Sequence, residues 1–396
     1  MSQDTYVENS LPSSVDVAIV GGGIIGLSIA WQLARAGVET VVVEKNTVGR
    51  AASWAAAGML APLAEVGFEE LEFLKLGRES LAMYPTFLAE LEVDSGAAVP
   101  LDRRGTLMVS LDRDDTAELR RLFEFRKKLS LPVRWLSGAE ARDEEPLLSP
   151  KVAAAIDLPD DYQIDNRELL VALEQAVLKC GGKLCEHTSV EKIIVESGRA
   201  VALQLDGEEQ RQISAAKIVV AAGCWSSLIG GLAKDKLPPV RPVKGQILTL
   251  RMTTDIALTK VVRSPRVYLA PKFDGRLVVG ATSEEMGFDT APTAGAQLFL
   301  LEEAFDAVPA VYELALEEMR VGLRPASRDN EPLIGESPIA QLYYATGHYR
   351  HGILLAPATS YAMAAMLTGK KVPEALAPFS PSRFFNVTRF STALTT

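Results

Sequence analysis

Apolar and polar positions change period along this chain, and the changes mark its elements. The run Val17-Ala18-Ile19-Val20 is short enough for one buried strand. It passes through Gly21-Gly22-Gly23-Ile24-Ile25-Gly26 into Leu27–Ala34, where apolar residues take helical spacing. A second strand is expected over Glu39–Val43 and ends in Glu44. Helical patterns follow at Glu70–Glu92, at the strongly amphipathic Asp114–Leu129, and at Arg167–Cys180, which Gly181-Gly182 terminates. Strands recur at Ser189–Val195, Ala200–Leu205 and Lys217–Ala221.

From Val240 the texture becomes antiparallel. Strands are expected over Gln246–Met252, Val267–Pro271 and Arg276–Gly280, the last two joined by a Phe273-Asp274-Gly275 turn. A helix over Ala294–Ala307 precedes the last strand of this region. After Arg320 the chain returns to βα texture, with a strand at Leu342–Ala345 and a helix at Ile353–Leu367. The expected fold class is therefore mixed α/β (α+β): a Rossmann-like dinucleotide domain into which an antiparallel substrate domain is inserted in pieces. The nucleotide part is expected over residues 15–92, 151–239 and 320–385, the substrate part over 93–150 and 240–319, and residues 1–14 as a flexible tail.

The 396 residues suffice for two domains with sizeable cores. An apolar fraction of 48% and a charged fraction of 23% are those of a soluble globular protein. A net charge of −10, with both signs interleaved, argues against nucleic acid as a partner. The apolar stretch Val15–Ala34 holds Asp16 and four glycines, so strand-turn-helix explains it and a membrane span does not. Cys180, Cys185 and Cys224 form neither a metal spacing nor an even disulfide framework, which suits the cytoplasm. Residues 1–14 lack the basic and apolar regions of a signal peptide.

The G-x-G-x-x-G turn carries the first chemistry. Gly21 allows the tight turn, Gly23 the approach of a pyrophosphate, and Gly26 the close packing of helix on strand. The helix N-terminus attracts the anion, and Glu44 stands where a carboxylate accepts from ribose hydroxyls. Glycine turns also occur for steric reasons alone; here strand, helix and acidic strand end all fall at the expected offsets. The motif leaves NAD and FAD both open.

Three further segments favour FAD. Ser53–Met59 is nearly free of bulk, as backbone lying against an isoalloxazine requires. Val219-Val220-Ala221-Ala222-Gly223-Cys224-Trp225 forms a second strand-to-glycine turn able to close over adenosine. Gly352 opens a helix whose amides can face the flavin N1/C2=O edge, where negative charge accumulates on reduction.

Ser53–Pro62, Gly280-Ala281-Thr282, Gly322-Leu323-Arg324-Pro325 with Asp329 and Pro332–Gly335, and Gly347–Pro357 together carry a resemblance. The chain after residue 15 resembles the D-amino acid oxidase superfamily and, within it, the glycine oxidases associated with thiamine biosynthesis. The resemblance implies FAD held with Glu44 at the ribose and Gly58 and Met59 at the flavin. It places Val190 and Gly223 along the adenosine and Gly352, Ile353 and Leu354 at the pyrimidine edge. Ile24, Ile25, Lys45, Ser53, Ala57, Ala222, Trp225, Arg324 and His351 complete the candidate cofactor set. Some relatives that oxidise sarcosine hold FAD through a cysteine; no cysteine follows Cys224 here, so a noncovalent cofactor is expected.

The candidate catalytic residues are Tyr268, Arg324 and Arg350. An amino acid carries a carboxylate, and a guanidinium fork is its natural bidentate partner. By resemblance, Arg324 makes that clamp, Tyr268 donates from the side, and Arg350 adds charge at the mouth or on the carboxylate. Pro325 fixes the turn that aims Arg324. Taken alone, an arginine is more often solvated or ion-paired and a strand tyrosine more often packing. His348 and His351, an i, i+3 pair without a carboxylate or cysteine in register, make a poor zinc site and read as loop structure; no metal is expected. Glu284 and Glu285 read as surface charge. Ser283 varies in identity among the resembling proteins, which leaves the side-chain preference open.

The implied activity is oxidation of glycine and other small amines, sarcosine and short D-amino acids among them. With the carboxylate clamped, the α C–H points at flavin N5 and positioning is the main catalytic contribution. An imine and hydrogen peroxide result, molecular oxygen being the second substrate, and the imine is hydrolysed or passed to thiazole synthesis. A homo-oligomer is expected. One alternative is a D-amino acid or sarcosine dehydrogenase passing electrons to a quinone. The other, a noncatalytic flavoprotein scaffold, has no need for a carboxylate clamp.

Overall fold

The computed structural model describes residues 11–207 and 211–385. Of the tail expected over 1–14, residues 1–10 lie outside the described part. The remainder is already tied down: the Ser13 carbonyl accepts from Ser214 N–H at 3.0 Å, and Ser14 begins the first strand.

The first sheet is built on five parallel strands in the order Lys183–Cys185, Thr40–Val43, Ser14–Val20, Gln212–Val220, Leu342–Thr346. Strands buried on both faces read as continuous apolar runs, as Thr40–Val43 does. Antiparallel Val190–Glu196 and Arg199–Leu205 extend from the early part of Gln212–Val220, and Leu333–Glu336 pairs with the last strand. The helix Ile24–Arg35 packs against Gly352–Leu367, and Leu71–Ser95 packs against both Gly352–Leu367 and Asn166–Lys179. Trp31, Phe73, Tyr84, Phe87 and Leu355 fill the core between them.

A second sheet has the order Ala315–Ser327, Val240–Arg251, Arg276–Gly280, Tyr268–Pro271, Val261–Arg263, Thr106–Ser110, Ala154–Leu158, Arg134–Ser137. Alternate residues of its strands serve opposite faces. Leu248, Val262, Leu269, Leu277 and Val279 pack under Leu300 and Ala304 of the helix Ala294–Ala307. Ile247, Val261, Ala270 and Val278 turn to the other face and meet Ala57 and Met59. A small third sheet joins Met59–Leu60, Tyr162–Ile164 and Leu101–Asp102.

The inserted antiparallel sheet is present, but its strands cross the expected boundaries. Ala154–Leu158 lies in a segment assigned to the nucleotide part and Ala315–Ser327 runs past residue 320, yet both pair within the second sheet. The reason in the first case is a hidden charge. Asp157 interrupts the apolar run, but it is buried between Arg134 (2.6 Å) and Lys260 (2.9 Å). Val240–Arg251 likewise starts six residues before the expected strand, because buried Lys244 finds Asp289 at 2.6 Å and the Ala291 carbonyl at 2.6 Å. Charges paired across the fold conceal strands from a reading of periodicity.

Candidate functional site

The turns after the parallel strands meet where an open α/β sheet binds its ligands, outside the carboxyl strand ends. There a cavity of about 610 Å³ runs from Glu44 and Lys45, past Ser53–Met59, to Tyr268, Arg324 and Arg350. Gly21 has φ +106°, and a Cβ on it would lie 2.6 Å from the Ala221 carbonyl oxygen. A Cβ on Gly26 would collide with the Gly21 carbonyl, whereas one on Gly23 would meet only Ser53 Oγ, at 3.4 Å. The first and third glycines thus serve the turn and the helix, and the middle one leaves room for a ligand. Ser53 Oγ accepts from Ile24 N–H at 3.0 Å, and the free amides of the same first turn, at Ile25 and Gly26, offer an anion site.

Glu44 is fixed by Gly22 N–H (2.8 Å) and Asn46 N–H (2.9 Å), one on each carboxylate oxygen. Each oxygen keeps acceptor capacity for a ribose hydroxyl. Lys45 Nζ lies 3.8 Å over the Trp225 ring, closing this end with Val190, Ala222 and Gly223 among the lining residues. Burial pushes the Cys224 thiol up to about 12, which leaves it a poor nucleophile.

The segment expected against the isoalloxazine is partly helical. Ala52–Ala55 forms one helical turn before Gly58, whose φ is +72°. Three side chains hold it from outside. Asn166 Nδ2 donates to Ser53 O (2.8 Å), Arg320 Nε to Ala55 O (3.1 Å), and Lys272 Nζ to Ala57 O (2.6 Å). Lys272 also donates to Gln163 Oε1 and Ile164 O, both at 3.0 Å, and burial lowers its pKa to about 8. None of the three was among the sequence candidates; Lys272, directly after an apolar strand, was the visible signal. At the far side His351, Gly352, Ile353 and Leu354 line the cavity at the start of Gly352–Leu367. These features fit a flavin dinucleotide: an anion turn in the middle, a ribose acceptor at one end, and a wall of small side chains at the other.

The substrate end is a floor made by one face of the second sheet. Arg324, Gly322 and Arg320 alternate on one strand, and Gly245 and Ile247 face the same way on the next. The Arg324 guanidinium lies over Gly245 and donates to Thr282 O at 2.9 Å. Tyr268 lies over Gly280 in the same manner. Burial raises the Tyr268 pKa, with Arg324 opposing, so its hydroxyl is a neutral donor. Sequence reasoning placed Arg324 and Tyr268 together, and the structure does so.

Arg350 lines the cavity on a more exposed side. Its guanidinium is half exposed and donates to Glu65 Oε2 at 3.2 Å, and Glu65 Oε1 accepts from Arg263. Arg263 is the cross-strand partner of Tyr268 and lines the same cavity. Glu65 ends the short helix Pro62–Glu65, which Asp161 anchors through Leu63 N–H (2.9 Å) and Ala64 N–H (2.8 Å). Buried Arg126 donates to Leu63 O at 2.7 Å from the other side. Neither Glu65 nor Arg263 was a sequence candidate, since their pairing spans 198 residues. The histidines take structural posts: His348 Nε2 meets Thr359 Oγ1 at 3.1 Å, and the His351 ring lies 4.0 Å from that of Phe73.

A Rossmann-type sheet and a cavity fitted to a flavin dinucleotide define a flavin-dependent oxidoreductase. The sequence family described as FAD dependent oxidoreductase matches residues 16–366, and the chain belongs to it. The glycine oxidase of Geobacillus kaustophilus is 34% identical over 93% of this chain and 97% of its own length. Its crystal structure superposes with a TM-score of 0.87, covering 94% of this chain and 99% of that one. The bifunctional protein ThiO/ThiG of Synechocystis is 35% identical over 96% of this chain, which spans 55% of that protein. An iminodiacetate oxidase from Chelativorans is 31% identical, with a TM-score of 0.81 over 92% of this chain and 98% of its own. Among the described residues, no helix is long and apolar enough to cross a membrane.

Proposed function

We propose that the protein oxidises glycine and other small primary and secondary amines, such as sarcosine and short D-amino acids, with Arg324 holding the carboxylate. The observation that carries this is the Arg324 guanidinium laid over Gly245 beside Tyr268, facing the cavity that fits FAD. Bound FAD supplies the two-electron acceptor for the C–H bond at the substrate α-carbon. Arg324 fixes the carboxylate and Tyr268 donates to it, so the α-carbon has one orientation and the reaction gains chiefly from positioning. The substrate gives up two electrons and two protons as it becomes an imine, and molecular oxygen takes them to form hydrogen peroxide. The likeness to ThiO/ThiG supports delivery of the imine to thiazole synthesis, and the likeness to an iminodiacetate oxidase supports acceptance of N-substituted glycines. A cytoplasmic homo-oligomer completes the proposal.

Once carboxylate and α-hydrogen are fixed, only one enantiomer has its side chain in the open direction, and glycine escapes the restriction. The test is anaerobic mixing with glycine, D-alanine and L-alanine, followed by air. Glycine and D-alanine should bleach the flavin band, and air should restore it with stoichiometric peroxide. Bleaching by L-alanine alone overturns the stereochemistry. A flavin that stays reduced in air for many minutes assigns the electrons to a quinone instead.

A further inference from the structure

We propose that the substrate end contains a second acid-recognition subsite, centred on Arg263, that receives a second carboxylate of an amino diacid. It rests on the amine-oxidase reading above and specifies the substrate class. Arg263 is directly opposite Tyr268 on paired antiparallel strands, so the two side chains share the face that carries Arg324. Across that face the strand order sets Arg324, Tyr268 and Arg263 in turn, and Glu65, from the helix Pro62–Glu65, reaches both Arg263 and Arg350. Arg263 is only 23% exposed, and among the described residues its hydrogen bonding is to Glu65 alone. A guanidinium has five N–H donors, so most of this fork is available to another acceptor in the cavity.

Charge points the same way. Glu65 spreads one carboxylate over two arginines, one oxygen to each. Arg266 also lines the cavity but is paired with Glu303 at 2.7 Å and leaves the count. Of the charged side chains lining this end, Arg263, Arg324 and Arg350 outnumber Glu65, so the wall favours anionic groups. Arg324 has Glu284 nearby through Thr282, whereas Arg263 shares the Glu65 carboxylate with Arg350 and is left less compensated. Were the Glu65–Arg263 pair only a tie for the helix Pro62–Glu65, changes to it would affect monoacids and diacids alike.

The test uses the full-length holoenzyme and its Arg263→Gln and Glu65→Gln variants. Three matched pairs are compared: iminodiacetate with N-ethylglycine, D-aspartate with D-2-aminobutyrate, and succinate with butyrate. The first two are read as kcat/KM for flavin reduction and distinguish a carboxylate on nitrogen from one on the side chain. The third pair lacks the amine, cannot be oxidised as an amine, and is read as binding from the flavin difference spectrum. A diacid preference of about tenfold or more is expected in at least one pair, the scale of a charge-assisted hydrogen bond. Arg263→Gln should collapse the preference towards one, and Glu65→Gln, which frees both arginines, should raise it. Should Arg263→Gln fail to fold, the rise in Glu65→Gln carries the test. No preference in any pair, or one that Arg263→Gln leaves intact, overturns the subsite. An Arg263-dependent succinate preference in a protein whose flavin no amine reduces would uphold the subsite and refute the amine-oxidase reading.

Discussion

Gly245 and Arg324 form one unit: a Cβ added at residue 245 would lie 2.5 Å from the guanidinium carbon of Arg324. Gly245 is paired with Gly322 in the middle of a strand and needs no left-handed backbone, so alanine is allowed there by conformation. What must yield is the far end of the arginine. Gly245→Ala should therefore fold and hold FAD, with Tm close to the parent, while kcat/KM for glycine falls about tenfold or more through misplacement of the clamp. Steady-state kinetics beside a thermal melt check this. Unchanged kinetics would show that the guanidinium is not held by the floor beneath it.

Arg324 itself is tested by charge and by shape. A hydrogen-bonded charge pair is worth about 1.5–3 kcal/mol. Arg324→Ala should thus lower kcat/KM by about tenfold to more than a hundredfold. Arg324→Lys should also lose activity, because one ammonium does not copy the planar fork. The flavin spectrum should survive both changes. Turnover of glycine by Arg324→Ala within about threefold of the parent, a factor worth under 1 kcal/mol, refutes the clamp.

What the sequence revealed follows local pattern, and what it concealed depends on distant pairs. The glycine turn was legible because strand, turn and helix are contiguous, and Arg276–Gly280 and Ala294–Ala307 have the bounds their periodicity predicts. The ends of the inserted sheet were not, because Asp157 and Lys244 place charges inside strands and neutralise them with residues far along the chain. Arg324 and Tyr268 were singled out through motifs and a family resemblance, and the fold sets both in the cavity wall. Glu65, Arg263 and Lys272 act through contacts that only the folded chain creates, and Arg350 was assigned charge without its counter-ion.

The cofactor should be separable from the polypeptide. Cys224 is the cysteine lining the cavity, and burial pushes its thiol up to about 12, so little thiolate is present at neutral pH. Acid precipitation of the purified protein should leave FAD in the supernatant. Gly21→Ala, which places a methyl 2.6 Å from Ala221 O, should yield protein largely free of flavin. Yellow colour pelleting with the chain would contradict the first expectation, and full flavin content in Gly21→Ala the second.

His348 should impose an acid limit on stability. Its ring is buried between the sheet and Gly352–Leu367, and burial holds its pKa at about 3, against 6.5 for an exposed imidazole. The unfolded chain therefore binds a proton below about 6.5 that the folded chain refuses until about 3. The stabilisation is complete above the unfolded pKa and is lost as pH falls through that window, at up to about 1.4 kcal/mol per pH unit. His351 is depressed in the same direction, helped by Arg350 and Arg263, and persists when His348 is replaced. The difference between the parent and His348→Gln thus isolates one ring. Urea unfolding at pH 7.5, 6.0, 5.0 and 4.0, roughly spanning the window, should show the parent losing stability faster than His348→Gln as pH falls. Above pH 7, roughly, the gap should be constant, reflecting only the lost contact with Thr359. A gap that is constant at every pH would mean that His348 titrates alike in the folded and unfolded chains, and so is not shielded from solvent in the fold.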